Sequence, residues 1–195
     1  MLCKTKIEIK KVAIMGDAEA KRYSLHYRGA YNTAYLLAKS GYVIVNGGGP
    51  GVMLAASLGA KAAGGKVEIV TISDKNKPDN FEGSHKRNLE AAHKIYYEDN
   101  YNQRLAKLVS MSDAFVFFKG GTGTISEIGL CWQMAKFEYG KHSPLIFYGS
   151  FWKKILNKMK DLLPLTKDET TVYAVAKNAK DVVSILTKVQ VGNYS

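Results

Sequence analysis

Cysteine, proline and histidine are scarce: the chain of 195 residues holds two, four and four of them. Cys3 and Cys131 stand far apart and neither belongs to a Cys-x-x-Cys pair. That excludes a zinc ribbon, a thioredoxin-type motif and a disulfide framework, and points to a reducing compartment. His26, His85, His93 and His142 do not pair on one helix face, so no metal site is expected. No run approaches the roughly 18 apolar residues of a membrane span. The first six residues carry no apolar signal core, and a cytoplasmic protein is expected. Acidic residues are also few, 17 against 28 Lys and Arg, for a net charge of +11. The basic residues are scattered, as at Lys153, Lys154, Lys158, Lys160 and Lys177. Without an arginine-rich block or recognition motif, nucleic acid is not a favoured partner.

Glycine is frequent, with 18 residues, several of them at the ends of apolar runs. Val12–Met15, Tyr42–Val45, Val67–Ile72, Ile95–Tyr97, Ala114–Phe118, Pro144–Tyr148 and Val172–Val175 read as strands. They are continuously apolar rather than alternating, which indicates strands buried on both faces. Helical patterns lie between them, over about 23–39, 52–63, 100–111, 124–137, 151–162 and 179–187, with Asp99 expected to cap the third. The alternation predicts one α/β domain over residues 1–195. Its fold is Rossmann-like and doubly wound, with a mainly parallel sheet and helices on both faces. The polar stretch 73–93 resists assignment beyond a short helix near Lys86. It is expected to cover a site, with His85 and Arg87 as candidate lid residues.

Two glycine-rich turns follow strands, Gly47-Gly48-Gly49 and Lys119-Gly120-Gly121-Thr122-Gly123-Thr124. In such sheets ligands bind beyond the carboxyl ends of the strands. Glycines running into a helix start collect backbone N–H groups at the positive end of the helix dipole, a seat for an anion, commonly phosphate. Glu127 follows about one turn into that helix. The dinucleotide fingerprint fails, because Val52 and Ser126 stand where its third glycine belongs, and no Walker A window exists. Asp17, after the first strand, is a further candidate for the same edge.

The stretch Gly120-Gly121-Thr122-Gly123-Thr124-x-x-Glu127 resembles the Pro-Gly-Gly-x-Gly-Thr-x-x-Glu motif of the Lonely Guy phosphoribohydrolases. These enzymes were long misassigned as lysine decarboxylase-like. Gly47–Met53 and Ala63-Gly64-Gly65 resemble the family's second turn and helix exit. Arg104 stands where the family has an arginine, and the similarity spans about residues 12–186. Two positions depart from the pattern: Lys119 replaces the leading proline, and Leu105 replaces the second residue of an Arg-Lys pair, leaving Lys107 as a substitute.

The resemblance implies hydrolysis of the N-glycosidic bond of a nucleoside 5′-monophosphate, AMP or an N6-modified, cytokinin-type relative. The products are the free base and ribose 5-phosphate, and no cofactor is needed. Glu127 and Arg104 would be catalytic. Gly47, Gly48, Gly49, Gly120, Gly121, Thr122, Gly123, Thr124, Asp17 and Lys119 would bind substrate or phosphate. A homodimer is implied, with Ile128, Cys131, Trp132 and Ala135 suited to its interface or equally to a monomer core. The alternative is a non-catalytic nucleotide or molybdenum-cofactor carrier on the same fold.

Overall fold

The computed structural model describes residues 7–192. Cys3 lies outside them, as do residues 193–195 of the end at 192–195, which the sequence predicts to be loose. The described residues form seven strands: β1 Lys11–Met15, β2 Val43–Asn46, β3 Val67–Ile72, β4 Lys94–Glu98, β5 Ala114–Phe117, β6 Leu145–Tyr148 and β7 Tyr173–Ala176. Seven helices join or follow them: α1 Leu25–Lys39, α2 Gly51–Ala62, α3 Lys86–Leu89, α4 Tyr101–Ser110, α5 Thr122–Phe137, α6 Phe151–Leu162 and α7 Ala179–Val191.

The strands make one sheet in the order β4-β3-β2-β1-β5-β6-β7, with every pairing parallel. Successive residues along each strand present their side chains to opposite faces of the sheet. Val12, Ile14, Ile44, Ile69 and Val116 join the core under α1, α2 and α7. Ala13, Met15, Val45, Phe115 and Phe117 join the core under α4, α5 and α6. This double burial is why the strands read as unbroken apolar runs. The order reverses between β1 and β5, so the carboxyl ends of these two strands flank the crevice where such sheets bind ligands.

The starts of α4 and α5 differ from the sequence reading in ways that bear on the site. Asn100, not Asp99, caps α4, its side chain accepting from Gln103 N. Helix α5 begins at Thr122, two residues earlier than its apolar pattern suggests, with Gly121 as N-cap. Glu127 therefore lies on the second turn. The side chains of Ile128, Cys131, Trp132 and Ala135 pack in the sheet core. The outer face of α5 instead exposes Ile125 and Phe137.

Candidate functional site

The loops after β1 and β5 are stitched together by backbone contacts. Asp17 N donates to Lys119 O at 2.8 Å, and Asp17 O accepts from Val52 N at 2.9 Å. One residue thus brackets the end of β5 to the start of α2. Gly16 and Gly120 permit the approach. A Cβ on Gly16 would lie 2.7 Å from the Cβ of Phe118, and one on Gly120 would collide with the Thr124 hydroxyl.

The start of α5 is left open. Ile125 N donates to Gly121 O at 3.0 Å, closing the first helical hydrogen bond. The N–H groups of Thr122, Gly123 and Thr124 precede that bond and have no intrahelical acceptor, and Gly121 supplies no side-chain cap. A Cβ on Gly121 or Gly123 would meet nothing within 4 Å. This helix start borders a cavity of about 710 Å³ that lies over the crevice between β1 and β5.

Arg104 forms part of the opposite wall and is only 4 % exposed. Its Nε donates to Val70 O at 3.2 Å and its Nη2 to Gly47 O at 3.1 Å. The guanidinium also lies 5.4 Å from the Phe81 ring centre and 5.8 Å from that of Tyr101. It thereby ties the ends of β2 and β3 while lining the cavity. Burial lowers its pKa, a shift opposed by the charge of Glu127.

Glu127 is 7 % exposed and lines the same cavity. Burial raises its pKa from 4.5 to about 7, with the nearby Arg104 charge acting in the opposite direction. A carboxyl in this state exchanges a proton near neutrality, which suits general acid–base work.

Residues 78–83 form a strap over the other side. Thr71 Oγ1 donates to Gly83 O at 2.6 Å, and His85 N donates to Gly48 O at 2.9 Å. Asn88 Nδ2 donates to Gly49 O at 2.7 Å and to Asn46 Oδ1 at 3.1 Å. These bonds fasten the strap to the first glycine turn.

Of the residues singled out in the sequence, the cavity brings together Asp17, Gly121, Thr122, Gly123, Thr124, Arg104 and Glu127. Gly47, Gly48 and Gly49 do not line it. A Cβ on Gly47 would collide with Arg104, and one on Gly48, at φ +80°, would lie 2.5 Å from Gly83 O. These glycines admit Arg104 and the strap rather than bordering the cavity. Gly120 and Lys119 also lie off the lining, Gly120 beneath Thr124 and Lys119 exposed. Lys107 sits 5.2 Å from the Tyr96 ring centre, outside the lining. His85 and Arg87 do not border the cavity; Phe81 and Glu82 of the same segment do. The signal for Phe81 was a lone aromatic in a polar stretch. Tyr101, on the first turn of α4, also reaches the cavity and hydrogen-bonds Ser126.

Among the described residues, no group of three or more His, Cys, Asp or Glu is placed to hold a metal ion. No helix among them is long and apolar enough to cross a membrane.

Comparison with known proteins agrees with this architecture. The molybdenum cofactor binding protein of the phototrophic bacterium Rippkaea orientalis superposes with a TM-score of 0.70 at 20% identity, covering 94% of this chain and 99% of that one. The molybdenum cofactor carrier protein of Chlamydomonas reinhardtii gives 0.66 at 18% identity, with coverage of 94% and 99%. At these identities the likeness establishes the fold alone. In sequence, an uncharacterized protein of Archaeoglobus fulgidus is 30% identical over 143 residues, 73% of this chain and 87% of that protein. Residues 9–161 match the SLOG cluster4 family, and the chain belongs to that family.

Proposed function

We propose that this protein binds a phosphorylated, nucleotide-like ligand as a binding or carrier protein, the phosphate seated on the N–H groups of Thr122, Gly123 and Thr124. The observation behind this reading is the uncapped start of α5, open at Gly121 and Gly123, bordering the cavity at the β1/β5 crevice. Its volume of about 710 Å³ suits a small-molecule ligand. The molybdenum-cofactor proteins that share the fold support a carrier role.

A second reading, hydrolysis of a nucleoside 5′-monophosphate as in the Lonely Guy family, is favoured by one observation, the buried Glu127 carboxyl that lines the cavity, its pKa raised by burial to about 7. Water would add to the anomeric carbon as the C1′–N bond breaks. The base would leave with a proton, giving ribose 5-phosphate. Glu127 would take the proton of the attacking water and pass it to the departing base, and Arg104, on the wall opposite the phosphate seat, would assist departure of the base. AMP and N6-modified AMP are the candidate substrates. Lys119 and Leu105, which depart from the family pattern, weigh toward binding without cleavage.

One experiment separates the readings. The pure protein is titrated with a panel of nucleoside 5′-monophosphates in a calorimeter and the mixtures are analysed for free base. Binding without base release supports the carrier. Base release that disappears in Glu127→Gln establishes the hydrolase. Neither heat nor base release rejects both.

A homodimer belongs to the same proposal. Ile125 and Phe137 on the outer face of α5 are 61% and 74% exposed, and a second copy is the partner expected to cover them. Gel filtration of Phe137→Asp is expected to shift a dimer to a monomer.

A further inference from the structure

Helix α1 and the turn before it set tyrosines four residues apart, at Tyr23, Tyr27, Tyr31 and Tyr35. That spacing keeps side chains on one side of a helix. Together with α2, this side frames a second cavity of about 360 Å³ that shares no lining residue with the first. Arg22, Tyr23, Tyr27, Arg28 and Tyr31 line it from the α1 side and Leu58 from α2. The recess is firmly framed. Ser24 Oγ caps α1 by accepting from Tyr27 N at 3.2 Å. The two helices meet backbone to backbone, since a Cβ on Gly59 would collide with Tyr31 O.

The charge of this face has one sign. No Asp or Glu occurs between Glu19 and Glu68, whereas Lys21, Arg22, Arg28, Lys39, Lys61 and Lys66 do. All six are exposed. Arg22 and Arg28 make no ion pair within 4.0 Å among the described residues. Beside them the ring of Tyr23 is 82% exposed. Basic residues that are scattered along the sequence are thus gathered next to open aromatic rings.

A recess of tyrosines and free guanidinium groups without a carboxylate suits a polyanion that also carries flat rings. Bases stack on tyrosine, and arginine meets phosphate through two parallel N–H bonds. A second copy of this chain fits poorly, because an isologous contact would set Arg22 and Arg28 against their own duplicates. A membrane surface takes up apolar side chains that protrude, whereas Tyr27 and Tyr31 line a recess.

We propose that the α1–α2 face binds single-stranded nucleic acid. One base stacks on Tyr23, a neighbouring base enters the recess lined by Tyr27 and Tyr31, and Arg22 and Arg28 hold the phosphates. This site stands independently of the phosphate seat at α5.

The test is fluorescence anisotropy with a labelled oligothymidylate of about twelve nucleotides, without divalent cations. The strand is expected to bind about tenfold or more tightly than an abasic strand of the same length, and more tightly than its duplex. Tyr23→Ala is expected to weaken the strand about fivefold or more with an unchanged Tm, since its ring is open to solvent. Replacing Arg22 and Arg28 together by alanine should reduce the slope of log affinity against log salt by about 1.4, the share of two phosphate contacts on a single strand. Replacing the exposed Lys153 and Lys154 of α6 by alanine removes the same charge and should leave that slope nearly unchanged. Equal losses from the two pairs, or full binding by Tyr23→Ala, would reduce the interaction to general charge attraction and overturn the proposal. Equal affinity for the abasic strand, the duplex, polyglutamate of the same charge or anionic vesicles would overturn it as well. A dimer that dissociates in Tyr23→Ala on gel filtration would give the face to a second copy instead. Ribose 5-phosphate is expected not to compete; displacement of the strand by it would move the strand to the start of α5.

Discussion

Arg104 and Glu127 border one cavity without forming an ion pair. The guanidinium is turned to the carbonyls of Gly47 and Val70 and lies near two aromatic rings. Its charge still acts on Glu127, but loss of solvent outweighs that attraction. A carboxyl bonded directly to arginine would sit below its ordinary pKa. Holding the two apart keeps Glu127 poised between its protonation states at neutral pH, at some cost in stability.

That cost gives the first prediction. The folded state holds the Glu127 proton more tightly than the unfolded chain does, with a pKa of about 7 against 4.5. Stability from this group is therefore greatest at low pH. It falls as pH rises from about 4.5 through about 7. The difference amounts to about 3 kcal/mol at alkaline pH. Glu127→Gln carries no titrating group, so it is expected to exceed the unmutated protein in stability at pH 8 by up to that amount. The gap should narrow steadily toward pH 4.5. Urea denaturation of both proteins across this range checks it; a gap independent of pH would mean that Glu127 is not buried in its charged form.

Gly120 and Gly121 are adjacent, yet their substitution by alanine should fail in different ways. A methyl at Gly120 runs into Thr124 and so acts on folding. A methyl at Gly121 meets no protein atom within 4 Å and projects into the cavity, where the proposed phosphate would sit. Gly120→Ala is expected to lower Tm, by the equivalent of about 1–3 kcal/mol for an overpacked site. Gly121→Ala is expected to melt like the unmutated protein but to lose phosphate-ester binding by about tenfold or more, the scale of one lost charge-assisted contact. Calorimetry with ribose 5-phosphate, paired with thermal melts, reads both. Normal binding by Gly121→Ala would place the anion elsewhere.

The strands and the second glycine stretch were legible in the sequence for physical reasons. A parallel sheet covered on both faces leaves continuous apolar runs such as Ala114–Phe117, and an uncapped helix start open to a cavity needs glycines just before the helix. The first glycine turn lies off the cavity lining, because close packing and ligand approach demand the same residue. At Gly47 the close neighbour is Arg104, more than fifty positions along the chain, a relation no local pattern encodes. Phe81 and Glu82 escaped notice because the strap has no periodicity. It is held by single contacts such as Thr71 to Gly83 and His85 to Gly48. The choice between interface and core for Ile128, Cys131, Trp132 and Ala135 was not legible, since the apolar residues of α5 lie on both sides and periodicity alone does not say which side meets the sheet.

The ties made by Arg104 yield a last prediction. Arg104→Met keeps much of the side-chain volume but leaves the carbonyls of Gly47 and Val70 without their donor. Each unmet buried carbonyl costs about 1–3 kcal/mol, so a loss of about 2–4 kcal/mol is expected after partial relaxation. Arg104→Lys should recover only part of it, because one ammonium on a flexible stem does not reproduce a planar fork reaching two strands. Both variants also change the neighbour of Glu127. Methionine removes the charge that holds its pKa down, so the pH-dependent fall in stability should move to higher pH; lysine should retain most of that charge. Denaturation curves of the two variants at several pH values separate the mechanical role from the electrostatic one. A loss under about 1 kcal/mol in Arg104→Met, smaller than a single unmet carbonyl, would show that the strand ends hold together without the guanidinium.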